Sequence, residues 1–492
     1  MAETDRARRD ASIALGLCAL WILLLLAEQW RVTPQVDDAY IAYRYAANLV
    51  AGHGLVFNPG ERVEGFTSPL FTGLVALGIA TGVDAPLVGH ALGLLGACAS
   101  MLASVLLVRA LAPSLPGWIA GGAPLLLWLS APFVRWTTSG LETSLFAAGL
   151  TASLAAAAAS RTGCMTAALV VTALTRPEGV LAAALLYGAG LLAPGRRRAS
   201  LRGAAVFGAC MLALVAARLA YYGELLPNTF YAKVGGVPLS FGVAYLRAFL
   251  VDGAAWLLLP AGFAVARLPS ARPAGLLVVV FALYVVWVGG DLLGESRFLV
   301  PLLPALAALA CVGAGLAWRH GRGPGALAGA CVALAGLYFW VGPAPPGEGS
   351  KRARILDQAR RSDRFFEAAG ERRAALLRAR GDRDARVATG AIGSFGYYSG
   401  LPVIDILGLT DRHIARAPRE GGGARWPGHM RSDAAYVLSR KPDYLLIRRR
   451  DARGAGRLRA VSELWARPEL LRDYEWDEEL GGYRRRRQES PP

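Results

Sequence analysis

Apolar residues along this chain fall in blocks about sixteen to twenty-five long, free of Lys, nearly free of Arg and with Asp only at Asp252 and Asp291. A helix of roughly 20 such residues spans the hydrocarbon of a bilayer, about 30 Å. The first block is Ala11–Ala27, and others follow near 66–83, 86–110, 115–134, 143–160, 164–193, 203–221, 248–266, 274–293, 298–318 and 325–342. The block at 164–193 is interrupted by Arg176-Pro177-Glu178-Gly179, so either it is one broken helix or an earlier piece is re-entrant. Both solutions predict an α-helical polytopic membrane protein with about eleven transmembrane helices over residues 1–346.

The first block follows Arg6, Arg8 and Arg9 and runs into Glu28-Gln29-Trp30. That junction offers no small-residue cleavage site, so the block reads as a retained helix and not as a signal peptide. Short Lys- and Arg-rich loops stay in the cytoplasm, and four places qualify: the N-terminus, Arg196–Arg198 with Arg202, Arg267 with Arg272, and Arg319 with Arg322. Counting crossings between them puts the first loop, residues 31–65, on the other face, with 222–247, 291–297 and the C-terminal segment. The side on which 138–142 lies is left undetermined.

From about 347 the apolar blocks stop. The sequence first suits a charged helix to about Arg380 and then alternates like a soluble α/β domain, with strands expected at Arg386–Ile392, Pro402–Leu407 and Tyr444–Ile447. The run Arg484–Arg487 reads as a solvated end.

Composition sharpens this picture at three points. Apolar residues make up 54% of the chain and charged residues only 18%, with a mean hydropathy of +0.38. The net charge of +17 could point to nucleic acid. Yet residues 348–492 hold 31 Lys and Arg against 21 Asp and Glu, much of the remaining excess sits in short loops, and no nucleic-acid motif accompanies it. Cys18, Cys98, Cys164, Cys210, Cys311 and Cys331 all lie in apolar blocks without a CxxC pair, and read as packing residues.

The first loop carries the chemistry. Tyr40, Ile41, Tyr45 and Leu49 give one greasy helical face after the acidic pair Asp37-Asp38, a pattern suited to a helix lying along the membrane surface. The pair could simply cap that helix. A cap needs one carboxylate, however, and a second beside it is repelled unless something uses it, which favours a general base with a second acceptor for a hydroxyl or a metal. The same two carboxylates are the one candidate set for a divalent cation, and the sequence leaves metal dependence open.

The segment DDAYIAYRYAANLVAGHGLVFNPGERVEGFTSPL (37–70) resembles the first loop of bacterial GT-C fold glycosyltransferases related to the mycobacterial terminal beta-arabinofuranosyltransferases. The resemblance continues through TSGLETSLF (138–146), LTRPEG (174–179), LLPNTFYAK (225–233), GGDLLGESRFLVPLLP (289–304) and VATGAIGSFGYYSGLPVIDILGLTD (387–411). It implies transfer of a sugar, arabinofuranose being one candidate, from a polyprenyl-phosphate donor to a cell-envelope glycan on the outer face of a bacterial plasma membrane. An acidic residue opening the first loop would act as base, Asp37 in first place with Asp38 in support, and attack would invert the anomeric carbon.

Lys233 and Arg297 are the candidate cations for the lipid phosphate, although either could merely snorkel to the headgroups. Asp291 and Glu295 beside Arg297 argue against simple anchoring, and Glu64 and Arg44 complete the substrate-binding candidates. Glu142, Arg176 and Glu178 are near-membrane charges that could equally lock helices together. His53, in a Gly-rich turn, reads as a loop residue. Phe395, Tyr397 and Tyr398 with Asp405 and Asp411 suit a sugar-binding surface or an ordinary core. A transporter or flippase for lipid-linked glycans is the first rival, although no internal repeat is visible. A non-catalytic assembly factor is the second.

Overall fold

The computed structural model describes residues 2–233, 235, 237–320, 350–418, 429–449 and 458–486. The expected helix at 325–342, with Cys331 and Arg322, lies outside the described residues, as does Arg487. Among the described residues, five helices are long and apolar enough to cross a membrane: Thr4–Gln29, Ala85–Leu111, Arg197–Tyr222, Pro269–Val288 and Val300–Arg319. A bent pair, Gly117–Leu129 with Ala131–Thr137, makes a sixth if it is one span, and six more apolar helices run 10–17 residues. The chain is a multi-pass membrane protein.

Prolines account for the departures from long uninterrupted blocks. The helix Thr162–Thr175 ends at Arg176, whose extended backbone (φ −150, ψ 140) is what a following proline imposes, and Gly179–Leu192 begins after it. The 73° bend between Gly117–Leu129 and Ala131–Thr137 falls at Ser130, whose hydroxyl accepts from the Phe133 amide at 3.4 Å just ahead of Pro132. The stretch 222–247, expected as loop, contains the helix Asn228–Lys233 and most of Leu239–Phe249.

Contacts divide the chain into two compact units, each discontinuous in sequence. The first comprises Met1–Thr33, Leu87–Leu214 and Pro238–Arg361, the second Pro34–Pro86, Val215–Val237 and Ser362–Pro492. The change of composition at 346/347 therefore marks where apolar blocks end along the chain, whereas packing groups part of the first loop with residues far downstream. The first unit is helical.

In the second unit five short strands, β1 (Val387–Thr389), β2 (Val403–Asp405), β3 (Tyr444–Leu446), β4 (Tyr474–Asp477) and β5 (Gly482–Arg485), form one sheet in the order β2-β1-β3-β5-β4. β1 pairs in parallel with β2 and β3, while β5 runs antiparallel to β3 and β4. The three parallel strands fall inside the stretches expected from the sequence. The β4–β5 hairpin was not expected, and it takes Arg484 and Arg485 out of the solvated tail into a strand, with Arg484 on Glu475 at 2.6 Å.

The helix Asp37–Val50 packs in this unit through the face read as greasy. Ile41 and Tyr45 enter a core with Phe57, Phe66, Val387 and Phe395, so most of the face expected to meet lipid is covered by protein, while Leu49 at its end stays exposed. Arg44 is buried on the same helix and holds the loop to the sheet segment. Its guanidinium donates to the carbonyls of Phe57 (2.6 Å), Gly396 (2.7 Å) and Leu401 (2.7 Å), and to Asn58 Oδ1 (3.2 Å). Burial lowers its pKa to about 10. Asn58 in turn bonds both the amide and the carbonyl of Val403, at 3.0 and 2.8 Å, lengthening the hydrogen bonding of edge strand β2.

Two outcomes follow from these buried groups. Arg44→Met leaves several buried acceptors short of a donor and should cost on the order of 3 kcal/mol, and Arg44→Lys, lacking the planar fork, should recover little of it. Thermal unfolding of the purified protein in detergent measures both, and a transition within about 2 °C of wild type would contradict the clamp. Asp405, wholly enclosed, has its carboxyl pushed up to about 6 by burial, against bonds from the Thr410 and Leu407 amides. An unfolded aspartate titrates near 3.9, so Asp405 stabilises the fold fully below about pH 4, and that contribution is lost as pH rises through about 6. Wild type should therefore lose, relative to Asp405→Asn, on the order of 2–3 kcal/mol between pH 4 and pH 7; a constant difference would refute it.

Candidate active site

Asp37 and Asp38 occupy the first turn of the helix Asp37–Val50, but neither is its N-cap, a position held by Val36 without a side-chain bond. Asp37 instead caps a different helix. Its Oδ2 accepts from the Gly393 amide at 3.0 Å, and its Oδ1 accepts from the amide and hydroxyl of Ser394 at 2.9 and 2.7 Å, at the start of Gly393–Ser399. A Cβ on residue 393 would stand 1.8 Å from the Asp37 carbonyl oxygen, so glycine is required for this approach. Burial raises the Asp37 pKa, the Asp38 charge adds to the rise, and the three bonds oppose it. Asp38 follows one position on, about 100° around the helix, half-buried and outside this cap.

Tyr40, one turn further, is fully buried. Its hydroxyl donates to Glu367 Oε1 at 2.5 Å, and the Gln35 amide reaches the other Glu367 oxygen at 3.3 Å. The Tyr40 ring lies within 5.6 Å of both Tyr397 and Tyr398. Tyr397 and Tyr398 thus pack on the acidic helix, and Phe395 belongs to the core. Asp405 is spent on the turn to Thr410, and Asp411 caps Arg412–Ala415 through the Ile414 amide at 2.9 Å. Glu367 had no sequence signal, being one of many charges in the helix Lys351–Ala379.

The remaining candidates of this unit divide by commitment. Glu64 is buried and paired with Arg218 at 2.6 Å, a bond that ties the loop to the chain before Asn228. Arg44 is spent on carbonyls, as above. Lys233 ends the helix Asn228–Lys233 half-exposed, and among the described residues its ammonium has no hydrogen bond or ion pair. Asn228 opens that helix by donating to the carbonyls of Gly408 and Leu409 at 2.8 and 3.0 Å, which fixes where Lys233 emerges. His53 is exposed in its loop.

Arg297 and Asp291 belong to the first unit and pair there at 2.6 Å. Arg297 sits 5.8 Å from the Trp136 ring and 5.0 Å from Phe298, with Arg135 on Trp136 at 4.7 Å and Arg176 on Phe298 at 4.9 Å. The result is a row in which three buried arginines alternate with two rings. Glu295 and Ser296, at φ 51 and 52, hold left-handed backbone just before Arg297, a strain of the kind found at functional sites. Arg176 bridges Glu142 at 3.0 Å and Glu178 at 2.9 Å, which is the helix-locking arrangement. No group of three or more His, Cys, Asp or Glu side chains that could hold a metal occurs among the described residues.

Comparison with known proteins supports the resemblance carried by these motifs. Residues 358–489 match a family described only as a domain of unknown function, DUF8728. The chain is 30% identical over 398 residues to the terminal beta-(1->2)-arabinofuranosyltransferase of Mycobacterium tuberculosis, covering 69% of this chain and 63% of the relative. It is 30% identical over 362 residues to the enzyme of the same name from Corynebacterium glutamicum, covering 60% and 49%. The chain thus spans between about half and just under two-thirds of the curated relatives it matches. Among solved structures it is similar to ArnT from Cupriavidus metallidurans bound to undecaprenyl phosphate, with a TM-score of 0.51 at 16% identity, over 78% of this chain and 74% of that one. The fold is of the GT-C type.

Proposed function

We propose that this chain is an inverting glycosyltransferase of a bacterial plasma membrane that moves a sugar from a polyprenyl-phosphate donor to an extracytoplasmic glycan. One observation carries the reading: of two adjacent carboxylates opening the first loop, Asp37 is committed to three hydrogen bonds from Gly393 and Ser394, which fix the turn that carries its neighbour. Asp38 is therefore the base in this proposal, and Asp37 the group that fixes the turn bearing it. The resemblance alone puts Asp37 first with Asp38 in support, and the bonds already made by Asp37 favour the other order within this proposal. The names of the two curated relatives support arabinofuranose as the sugar. Undecaprenyl phosphate in the ArnT structure supports a lipid phosphate as the carrier.

In the proposed reaction Asp38 takes the proton of an acceptor hydroxyl as its oxygen attacks the anomeric carbon. The bond from that carbon to the phosphate oxygen breaks with inversion, and the polyprenyl phosphate leaves with the electron pair. Cations can stabilise that leaving group without an acid. Lys233 in the second unit and Arg297 in the first are each proposed, separately, as a cation able to meet a lipid phosphate, with Asp291 orienting Arg297 and Glu64 holding the loop through Arg218. Eleven crossings, a cytoplasmic N-terminus and an extracytoplasmic C-terminal α/β domain complete the reading, supported by the distribution of basic loops. That placement explains the donor class, because sugar nucleotides are cytoplasmic.

Purified protein supplied with a polyprenyl-phosphoarabinose donor and an arabinan acceptor tests this. Asp38→Asn should lose activity about 100-fold or more while melting like wild type. Asp37→Asn, which presents an amide to the Gly393 and Ser394 donors, should lower the melting temperature. Asp38→Asn retaining full transfer would remove the basis of the assignment, and the same assay with a chelator reads metal dependence.

A further inference from the structure

A second site in the same unit is accounted for by none of these residues. A cleft of about 670 Å³ opens between the turn at 61–63 and the segments 410–418 and 433–440. That volume falls in the range of small-ligand pockets, about 300–1,000 Å³. At its wall the rings of His413 and Tyr436 stack with centroids 4.0 Å apart and planes within 16°.

Two aspartates hold this ring pair in the same way. Asp411 caps the helix Arg412–Ala415 with Oδ1, at 2.9 Å from the Ile414 amide, and its Oδ2 accepts from the Tyr436 hydroxyl at 3.1 Å. Asp433 caps Ala434–Ser439 with Oδ1, at 2.9 Å from the Tyr436 amide, and its Oδ2 meets His413 Nε2 at 2.9 Å. Each carboxylate is thereby fixed by the backbone and keeps lone pairs on the oxygen beside the rings.

The arginines of the cleft are largely matched. Arg440 pairs with Glu61 at 3.5 Å and donates to the Tyr436 hydroxyl at 3.0 Å. Arg412 and Arg416 share Glu224, at 3.6 and 2.8 Å. With Arg62, four guanidinium groups line the cleft beside the carboxylates of Glu61, Asp411 and Asp433, and Glu224, outside the lining, supplies a fourth carboxylate through its pairs with Arg412 and Arg416. A polyanion would find no excess of positive charge here. Planar donors and acceptors in fixed pairs, beside flat rings, instead match the vicinal hydroxyls and apolar faces of a sugar chain.

We propose that this cleft binds a neutral oligosaccharide, the chemical class of the acceptor glycan. Its identification as an acceptor site rests on the function proposed above, whereas the binding does not. The full chain in detergent, without donor, is titrated with an arabinofuranosyl hexasaccharide and read by calorimetry and saturation-transfer NMR. Wild type should bind saturably with a dissociation constant of about 1 mM or tighter. His413→Ala removes the outer ring, and Asp433→Asn keeps the capping oxygen while losing the charge facing His413. Both should weaken binding about tenfold or more with an unchanged melting temperature.

No saturable binding, or full binding in both folded variants, would overturn the proposal. Displacement of the hexasaccharide by inorganic phosphate at equal concentration would also overturn it, marking an anion site instead. Because no sugar is transferred in this experiment, its failure leaves the Asp38 assay standing, and loss of transfer in Asp38→Asn says nothing about the cleft.

Discussion

Buried main-chain carbonyls must find a donor, and much of the second unit follows from that requirement. The segment between the helix Asp37–Val50 and the helix at Pro69 has no strand of its own to pair with. Side chains supply what a ladder would have supplied. Arg44 serves the carbonyls of Phe57, Gly396 and Leu401, Asn48 serves Val56 and Phe57, and Tyr45 serves Val63. Because two of these partners, Gly396 and Leu401, lie some 350 residues downstream, the same bonds that satisfy the loop dock it on the segment 387–411. A buried arginine without an acidic partner is costly, and here four hydrogen bonds and the face of Phe57 at 4.3 Å stand in for the missing charge.

The first unit meets the cost of buried charge differently. Arg135, Arg176 and Arg297 pair with Glu295, Glu142, Glu178 and Asp291, and ring faces cover guanidinium planes where water would otherwise lie. The guanidinium suits this because it is flat, weakly hydrated and bidentate. Lysine could satisfy the pairs but not the row of rings. Trp136 is fixed in that row by its indole N–H on the Glu295 carbonyl at 3.1 Å, which links the strained backbone at 295–296 to the position of the arginines.

Local signals made much of this readable in the sequence. Block length against bilayer thickness revealed membrane-crossing helices, Pro177 revealed the break after Thr175, and the apolar parts of 387–407 revealed β1 and β2. The hairpin β4–β5 escaped because its outward residues are charged and Arg484 looks like tail until Glu475 lies opposite. The helix Leu239–Phe249 escaped for a different reason: eleven residues are too few to register as a membrane block. The role of Arg44 was beyond reach, since an arginine in a loop motif looks the same whether it binds substrate or carbonyls. The greasy face of Asp37–Val50 is apolar as read, but Tyr40, Ile41 and Tyr45 on it are buried in protein, because hydrophobicity alone does not distinguish lipid from a protein core.

The adjacent carboxylates show how a local rule can be right in form and incomplete in content. Repulsion between neighbours does require that one be stabilised by something else, and the amides of Gly393 and Ser394 provide this for Asp37. Consecutive residues on a helix diverge by about 100°, so pinning Asp37 toward one backbone directs Asp38 away from it. The absence of a side chain at Gly393 is what allows the two backbones to approach closely enough for this. A helix turn held by three bonds to one residue gives the next residue a defined origin and direction, which is the precision that the base proposed here would need and a flexible loop would lack.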